Sequence, residues 1–175
     1  MKTADLLLTT YDNLLGSLDG WLAKAADHER GDALLGARLA EDMFPLARQI
    51  RFACNLPGEA MAGVAGVAYS SSDIDDSTLT AARERIAATR ALIVGWRATP
   101  FGADGAPVEF SLANGMTFDL DTQSYVRDWA LPQFYFHLMS AYAILRAAGV
   151  PLGKADYVGF MFGYLRQPPA AASDA

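Results

Sequence analysis

The sequence predicts an all-α protein, a four-helix bundle with a small β-hairpin between helices three and four. Three observations carry this reading. Four segments repeat apolar residues at spacings of three and four, the period of a helix. One short stretch, residues 108–120, instead alternates apolar and polar residues around Asn114-Gly115. Finally, 175 residues with 52% hydrophobic side chains suit one domain with a sizeable core. Residues 1–167 are read as that domain and 168–175 as a disordered tail.

The first helix spans residues 4–27, with Leu7, Tyr11, Leu14, Leu18, Trp21 and Ala25 as its stripe. His28 follows, where a histidine favours the negative end of the helix dipole. Gly31 stops the helix, and Asp32 is placed to cap a short turn through Leu35. The second helix is expected to be capped by Asp42 or its neighbour, with Pro45 in its first turn. It runs to about Val64, burying Leu46, Ile50, Ala53, Met61 and Val64, with Pro57 as a kink point. Cys54 falls inside the apolar arc and reads as a small buried hydrophobe. After a Gly- and Ser-rich loop, Ser77 is the expected cap of a third helix to Arg97, whose stripe includes Leu79, Ala82, Ile86 and Ile93.

Pro100, Gly102, Gly105 and Pro107 then mark a loop. Val108, Phe110 and Leu112 alternate before Asn114-Gly115, and Met116, Phe118 and Leu120 after it, which predicts a hairpin closed by a type I′ turn. Asp121 or Thr122 caps the last helical region. Pro132 is expected to break or kink it, and Phe134, Leu138, Ala141 and Leu145 face inward. Gly149-Val150-Pro151 ends it. The aromatic segment beyond is expected to dock on the bundle.

A net charge of −6 without any Lys/Arg cluster argues against a nucleic-acid partner. The single cysteine leaves no intramolecular disulfide and fits a reducing cytoplasm. The N-terminus lacks a signal-peptide pattern, and no apolar run is long enough for a membrane span.

Gln133 and His137 stand at i, i+4 on the last helix, so their side chains project side by side. Gln49 lies on the flank of the second helix's apolar arc, and Tyr142 offers a hydroxyl. These four residues, Gln49, Gln133, His137 and Tyr142, form the candidate ligand pocket. A carboxamide is a weak donor for zinc or nickel, and the chain has only two histidines, so no three-histidine centre is possible. The expectation is therefore no metal and no cofactor, with a divalent metal such as zinc or nickel bound through His137 as the alternative. Tyr135, Phe136 and Met139 fall outside the inward arc and call for a second packing surface: the hairpin, the tail or a twin subunit.

Arg38-Leu-Ala-Glu-Asp-Met-Phe-Pro-Leu-Ala-Arg-Gln49, Ala130-Leu-Pro-Gln-Phe-Tyr-Phe-His137, Ala141-Tyr-Ala-Ile-Leu-Arg146 and Gly149-Val-Pro-Leu-Gly-Lys-Ala-Asp156 together resemble an uncharacterised bacterial family. It is a domain of unknown function within the DinB/YfiT-like superfamily. The resemblance spans about residues 5–160. It implies a four-helix bundle with a long crossover, commonly a homodimer, in a superfamily of metal-dependent transferases or hydrolases. Those proteins carry one histidine on the second helix and an His-x3-His pair on the last. Here His137 matches one member of the pair, Gln133 stands in place of the other, and the second helix offers Gln49 and no histidine. The functional readings are thus a non-enzymatic or small-molecule-binding protein with a degenerate metal site, a metal-dependent enzyme using His137, and a structural protein acting only through a dimer surface.

Overall fold

Helix α1 (Thr3–Ala26) buries the stripe read from the sequence, from Leu7 and Tyr11 to Trp21 and Ala25. In this computed structural model, residues 2–112 and 114–166 are described; the tail expected at 168–175 lies outside them. A 3-10 turn (Gly31–Gly36) then buries Leu34 and Leu35. Helix α2 (Leu46–Ala65) follows, then α3 (Leu79–Trp96), strands β1 (Pro107–Ser111) and β2 (Thr117–Asp121), and helices α4 (Thr122–Tyr125), α5 (Leu131–Ala147) and α6 (Lys154–Tyr157).

Side-chain pairings fix the helix directions. Asp19 meets Arg83 and Asp12 meets Arg90, so α1 and α3 are antiparallel. His137 meets Gln49 while Tyr125 approaches Gly63, so α2 runs against the last helical region. Tyr11 packs on Phe134 and Trp21 on Tyr142, so α1 and α5 are parallel. Hence α2 and α3 are parallel too, and residues 66–78 must return along the ~30 Å length of a 20-residue helix.

That crossover is clipped to α2. Asn55, buried, donates from Nδ2 to Ser72 O at 2.8 Å and accepts from Ser72 N at 3.2 Å. Arg51 donates to the same carbonyl at 2.9 Å. Tyr69 lies so close over Gly58 that an added Cβ would stand 2.2 Å from its ring. Arg85 and Asp76 pair at 2.6 Å where the crossover enters α3.

Three local expectations are corrected. Asp42 does not cap α2: Pro45, extended at ψ 164°, is the boundary residue, and Leu46 N instead bonds Ala37 O. Thr78 rather than Ser77 caps α3, its Oγ1 accepting from Ala81 N at 3.1 Å. Asp32 also serves α3, accepting from Leu79 N at 2.7 Å, so its carboxylate caps a helix distant in sequence.

The hairpin pairs Val108 with Leu120 and Phe110 with Phe118. Its turn is not the two-residue type I′ turn, because Leu112 N donates to Met116 O and three positions, not two, separate them; Gly115 takes a positive φ of +86°. Asn114 Oδ1 accepts from Met116 N, an Asx-type contact that holds the loop. The Phe110 ring packs on Phe118, Trp129 and Tyr125 at 4.8–5.3 Å between centroids. A two-stranded ribbon is marginal alone, and this cluster seats it on the bundle.

Pro132 does not break the last helical region. Residues Val126–Ala130 widen into a π-turn, with Leu131 N bonding Val126 O, and the helix resumes as α5. The wide turn accommodates a ring that has no N–H to give and would crowd the carbonyl four residues back.

The C-terminal segment docks on α1. Trp21 Nε1 donates to Asp156 O at 3.1 Å, Ser17 Oγ donates to Tyr157 O at 3.0 Å, and Lys24 pairs with Asp156 at 2.7 Å. Among the described residues, no helix is long and apolar enough to cross a membrane.

Candidate functional site

Gln49 occupies the first turn of α2 and is almost fully buried, at 1% exposed. A buried carboxamide must find partners for both ends. Its Nε2 donates to Phe44 O at 3.3 Å, just before the helix. Its Oε1 lies 2.8 Å from Nδ1 of His137 on α5. Because the amide nitrogen is committed to a carbonyl, the oxygen faces the imidazole, and His137 Nδ1 must carry the proton and donate. In the neutral ring Nε2 is then a bare acceptor, and no hydrogen bond reaches it among the described residues.

Aromatic rings bracket the imidazole. Phe52 lies tilted against it at 4.7 Å between centroids, and Phe136 meets it edge-on at 5.3 Å. Phe44 lies beyond Phe52 at 5.6 Å. The Arg48 guanidinium covers the Phe44 ring at 5.2 Å and that of Arg51 covers Phe52 at 4.9 Å. Asp75, from the crossover, holds both arginines, at 3.1 Å and 2.7 Å. The clip on the crossover and the wall behind His137 therefore share residues.

Burial pushes the His137 imidazole down to about 4, since desolvation disfavours the charged form. The linkage has a definite sign. An unfolded histidine titrates near 6.5; the folded one stays neutral well below that. This group's contribution is fully present above about pH 6.5 and is lost as pH falls toward 4, because only the unfolded chain takes up the proton. Urea unfolding at a series of pH values is expected to show stability falling across this window by roughly 1–3 kcal/mol more than in His137→Gln. Parallel profiles for the two proteins would contradict it.

The four residues of the candidate pocket divide once the chain is folded. Gln49 and His137 are joined directly. Gln133 lies one turn earlier on α5, half-buried, with its amide making no hydrogen bond among the described residues. Tyr142 stands apart: its ring packs on Trp21 at 5.1 Å and near Tyr157, on the α1 side of the helix. Five residues is about 140° of helical rotation, which turns Tyr142 away from His137. Phe44, Phe52, Arg48 and Arg51 complete the site without having been legible as part of it. Their i, i+4 spacing around Arg48 is visible in the chain, but their approach to His137 depends on how α2 packs on α5.

The donor set does not fit a divalent metal. Both ends of the Gln49 amide are occupied, His137 Nδ1 is a donor, and only His137 Nε2 and the Gln133 amide remain. Zinc ordinarily takes three or four protein ligands, with Cys, His or carboxylate among them. Among the described residues, no group of three or more His, Cys, Asp or Glu side chains is placed to hold a metal ion. Cys54 is buried in the core, with its thiol pushed up to about 12 by that burial.

Two parallel pairs of helices running against each other, a long crossover and a hairpin before the last helical region define a DinB-like four-helix bundle. A crystal structure of a DinB family member protein from Shewanella denitrificans superimposes with a TM-score of 0.76 at 30% identity, covering 94% of this chain and 95% of that one. The chain belongs to the family described as Domain of unknown function (DUF1993), which matches residues 4–158. No curated protein matches it.

Proposed function

We propose that this protein is a non-enzymatic, small-molecule-binding member of the DinB-like bundles, with its site at Gln49, Gln133 and His137 where relatives of the wider superfamily carry metal ligands. The observation that carries this reading is the committed Gln49 amide. It makes Nδ1 of His137 the donor, and in the ring that burial keeps neutral Nε2 is then the acceptor. A ligand would bring an N–H or O–H donor to Nε2, a second polar group to the Gln133 amide, and an apolar body against Phe136. The single cysteine is in keeping with a cytoplasmic setting.

Thermal-shift screening of neutral, donor-bearing metabolites tests this reading. Binding at 100 times the dissociation constant stabilises the folded state by about 2.7 kcal/mol. The expected result is a compound that raises the wild-type midpoint and fails to do so in His137→Ala and in Gln133→Ala. Compounds that shift all three proteins equally would place binding elsewhere.

A further inference from the structure

The widened turn ahead of α5 shapes the surface beside α1. In an α-helix, two residues five apart point about 140° away from each other. Along Val126–Ala130 the bonds close five residues back, as from Leu131 N to Val126 O, and that wider turn returns such pairs to one side. Two of these pairs, Val126 with Leu131 and Arg127 with Pro132, line a single cleft of about 480 Å³ against the start of α1. Single π-turns are rare in helices and recur at functional sites. Pro132 explains why this turn is wide; the cleft is what the wide turn makes.

The cleft is an apolar trough with its polar groups gathered at one end. Val126 is 1% exposed, Leu131 is half-buried, and Leu6 and Tyr135 flank them. Leu6 and Tyr135 also line a second cleft of about 260 Å³, which follows α1 past Thr9 to Asn13. From Lys2 to Asn13 the helix rises about 16 Å. Small-molecule sites are clefts of about 300–1,000 Å³, apolar in the main with a few placed polar groups.

The polar end selects the ligand. Thr3 Oγ1 donates to Asp104 at 2.6 Å, and Arg127 Nε donates to Asp128 at 2.7 Å, so these residues are engaged. The Lys2 ammonium and the Gln123 amide also line the cleft, and neither side chain has a hydrogen-bond or ion-pair partner among the described residues. A cation beside an apolar trough complements an anion that carries an apolar chain. The Asp104 carboxylate at the same end repels a dianion more than a single charge, which favours a carboxylate over a phosphate. The Gln123 amide N–H can donate to the second carboxylate oxygen. We propose that this trough binds a monocarboxylate with an unbranched apolar chain, Lys2 and Gln123 holding the carboxylate and Leu6, Leu131 and Tyr135 the chain. Tyr135 stands about 200° around α5 from His137, so this is a separate site, and it does not rest on the His137 reading.

Calorimetric titration with decanoate, kept below its micelle-forming concentration, tests the proposal, with decanol as the uncharged probe. The wild type is expected to bind one decanoate per chain. Lys2→Glu is expected to weaken decanoate by about tenfold or more, the scale of a lost charge-assisted hydrogen bond, and to leave decanol unchanged. Leu6→Glu, at a position 38% exposed in the native chain, is expected to weaken both probes with unchanged circular dichroism. His137→Ala is expected to change neither. A wild type that does not bind decanoate overturns the proposal. So does decanoate binding that survives Lys2→Glu or Leu6→Glu, or a Lys2→Glu variant that weakens the two probes alike. Binding lost in His137→Ala would assign the carboxylate to the other site and overturn it as well.

Discussion

Replacing Gln49 and Gln133 together by histidine is expected to convert this bundle into a zinc or nickel binder. The wild-type site falls short in its donors rather than in its place in the fold. His137 already stands between the two positions, one turn from Gln133 on α5 and 2.8 Å from the Gln49 side chain. Two histidines at i, i+4 with a third from a facing helix supply the three nitrogen ligands that catalytic zinc sites use. Without metal the double variant should be less stable than the wild type by about 1–3 kcal/mol, because His137 Nδ1 and Phe44 O lose their partner inside the protein. With zinc at 100 times its dissociation constant, about 2.7 kcal/mol returns. The readout is a thermal midpoint that drops and is then restored by zinc in the double variant, while the wild-type midpoint does not respond. A double variant blind to zinc would mean that the three side chains do not converge.

The second large effect is expected at the crossover. Asn55→Ala removes a buried side chain that makes two hydrogen bonds to Ser72 and receives a third from Tyr69 Oη at 3.4 Å. Ser72 N then loses its partner, and its carbonyl keeps only Arg51. Losing two good bonds and leaving a donor unsatisfied costs about 2–4 kcal/mol. The damage should also be local: hydrogen exchange of residues 66–78 is expected to rise before that of the α1 and α5 cores. Because Asp75 anchors Arg48 and Arg51 behind the His137 bracket, the His137 environment should loosen with it. Uniform exchange across the chain would show that the clip is not a separate unit. An unchanged denaturant midpoint would show that Asn55 contributes nothing.

What could be read from the chain follows from how far each signal reaches. The helices were legible because burial of one face repeats every 3.6 residues, and Leu7 to Ala25 or Phe134 to Leu145 can satisfy that period only as helices. The hairpin was legible from the change of period at Val108. Its turn was not, because the strands are joined by a longer loop, closed by Leu112 N on Met116 O, than the two residues the dipeptide rule assumes. Caps failed where the partner is distant: Asp32 sits within a short 3-10 turn but holds the start of α3. Pro132 signalled a break or a kink, and the π-turn before it depends on backbone accommodation that no local pattern encodes. At the site, Gln133 and His137 could be paired by spacing on one helix. The Gln49 contact, the Phe52 packing and the separation of Tyr142 come from the packing of α5 against α2 and α1. Arg51 belongs with these. It is buried because the crossover, which no local pattern places, brings Asp75 and the Ser72 carbonyl to it.

The central claim is that Gln49 fixes His137 as an Nδ1 donor with Nε2 bare, that burial keeps the ring neutral, and that the donors around it fall short of a zinc site. Long-range nitrogen–proton NMR of the His137 ring at neutral pH, before and after one equivalent of zinc, tests it most directly. The expected result is a neutral ring protonated at Nδ1 and bare at Nε2, with ring shifts that do not move with zinc. A ring protonated at Nε2, or His137 shifts that change and saturate at one zinc per chain, would contradict it.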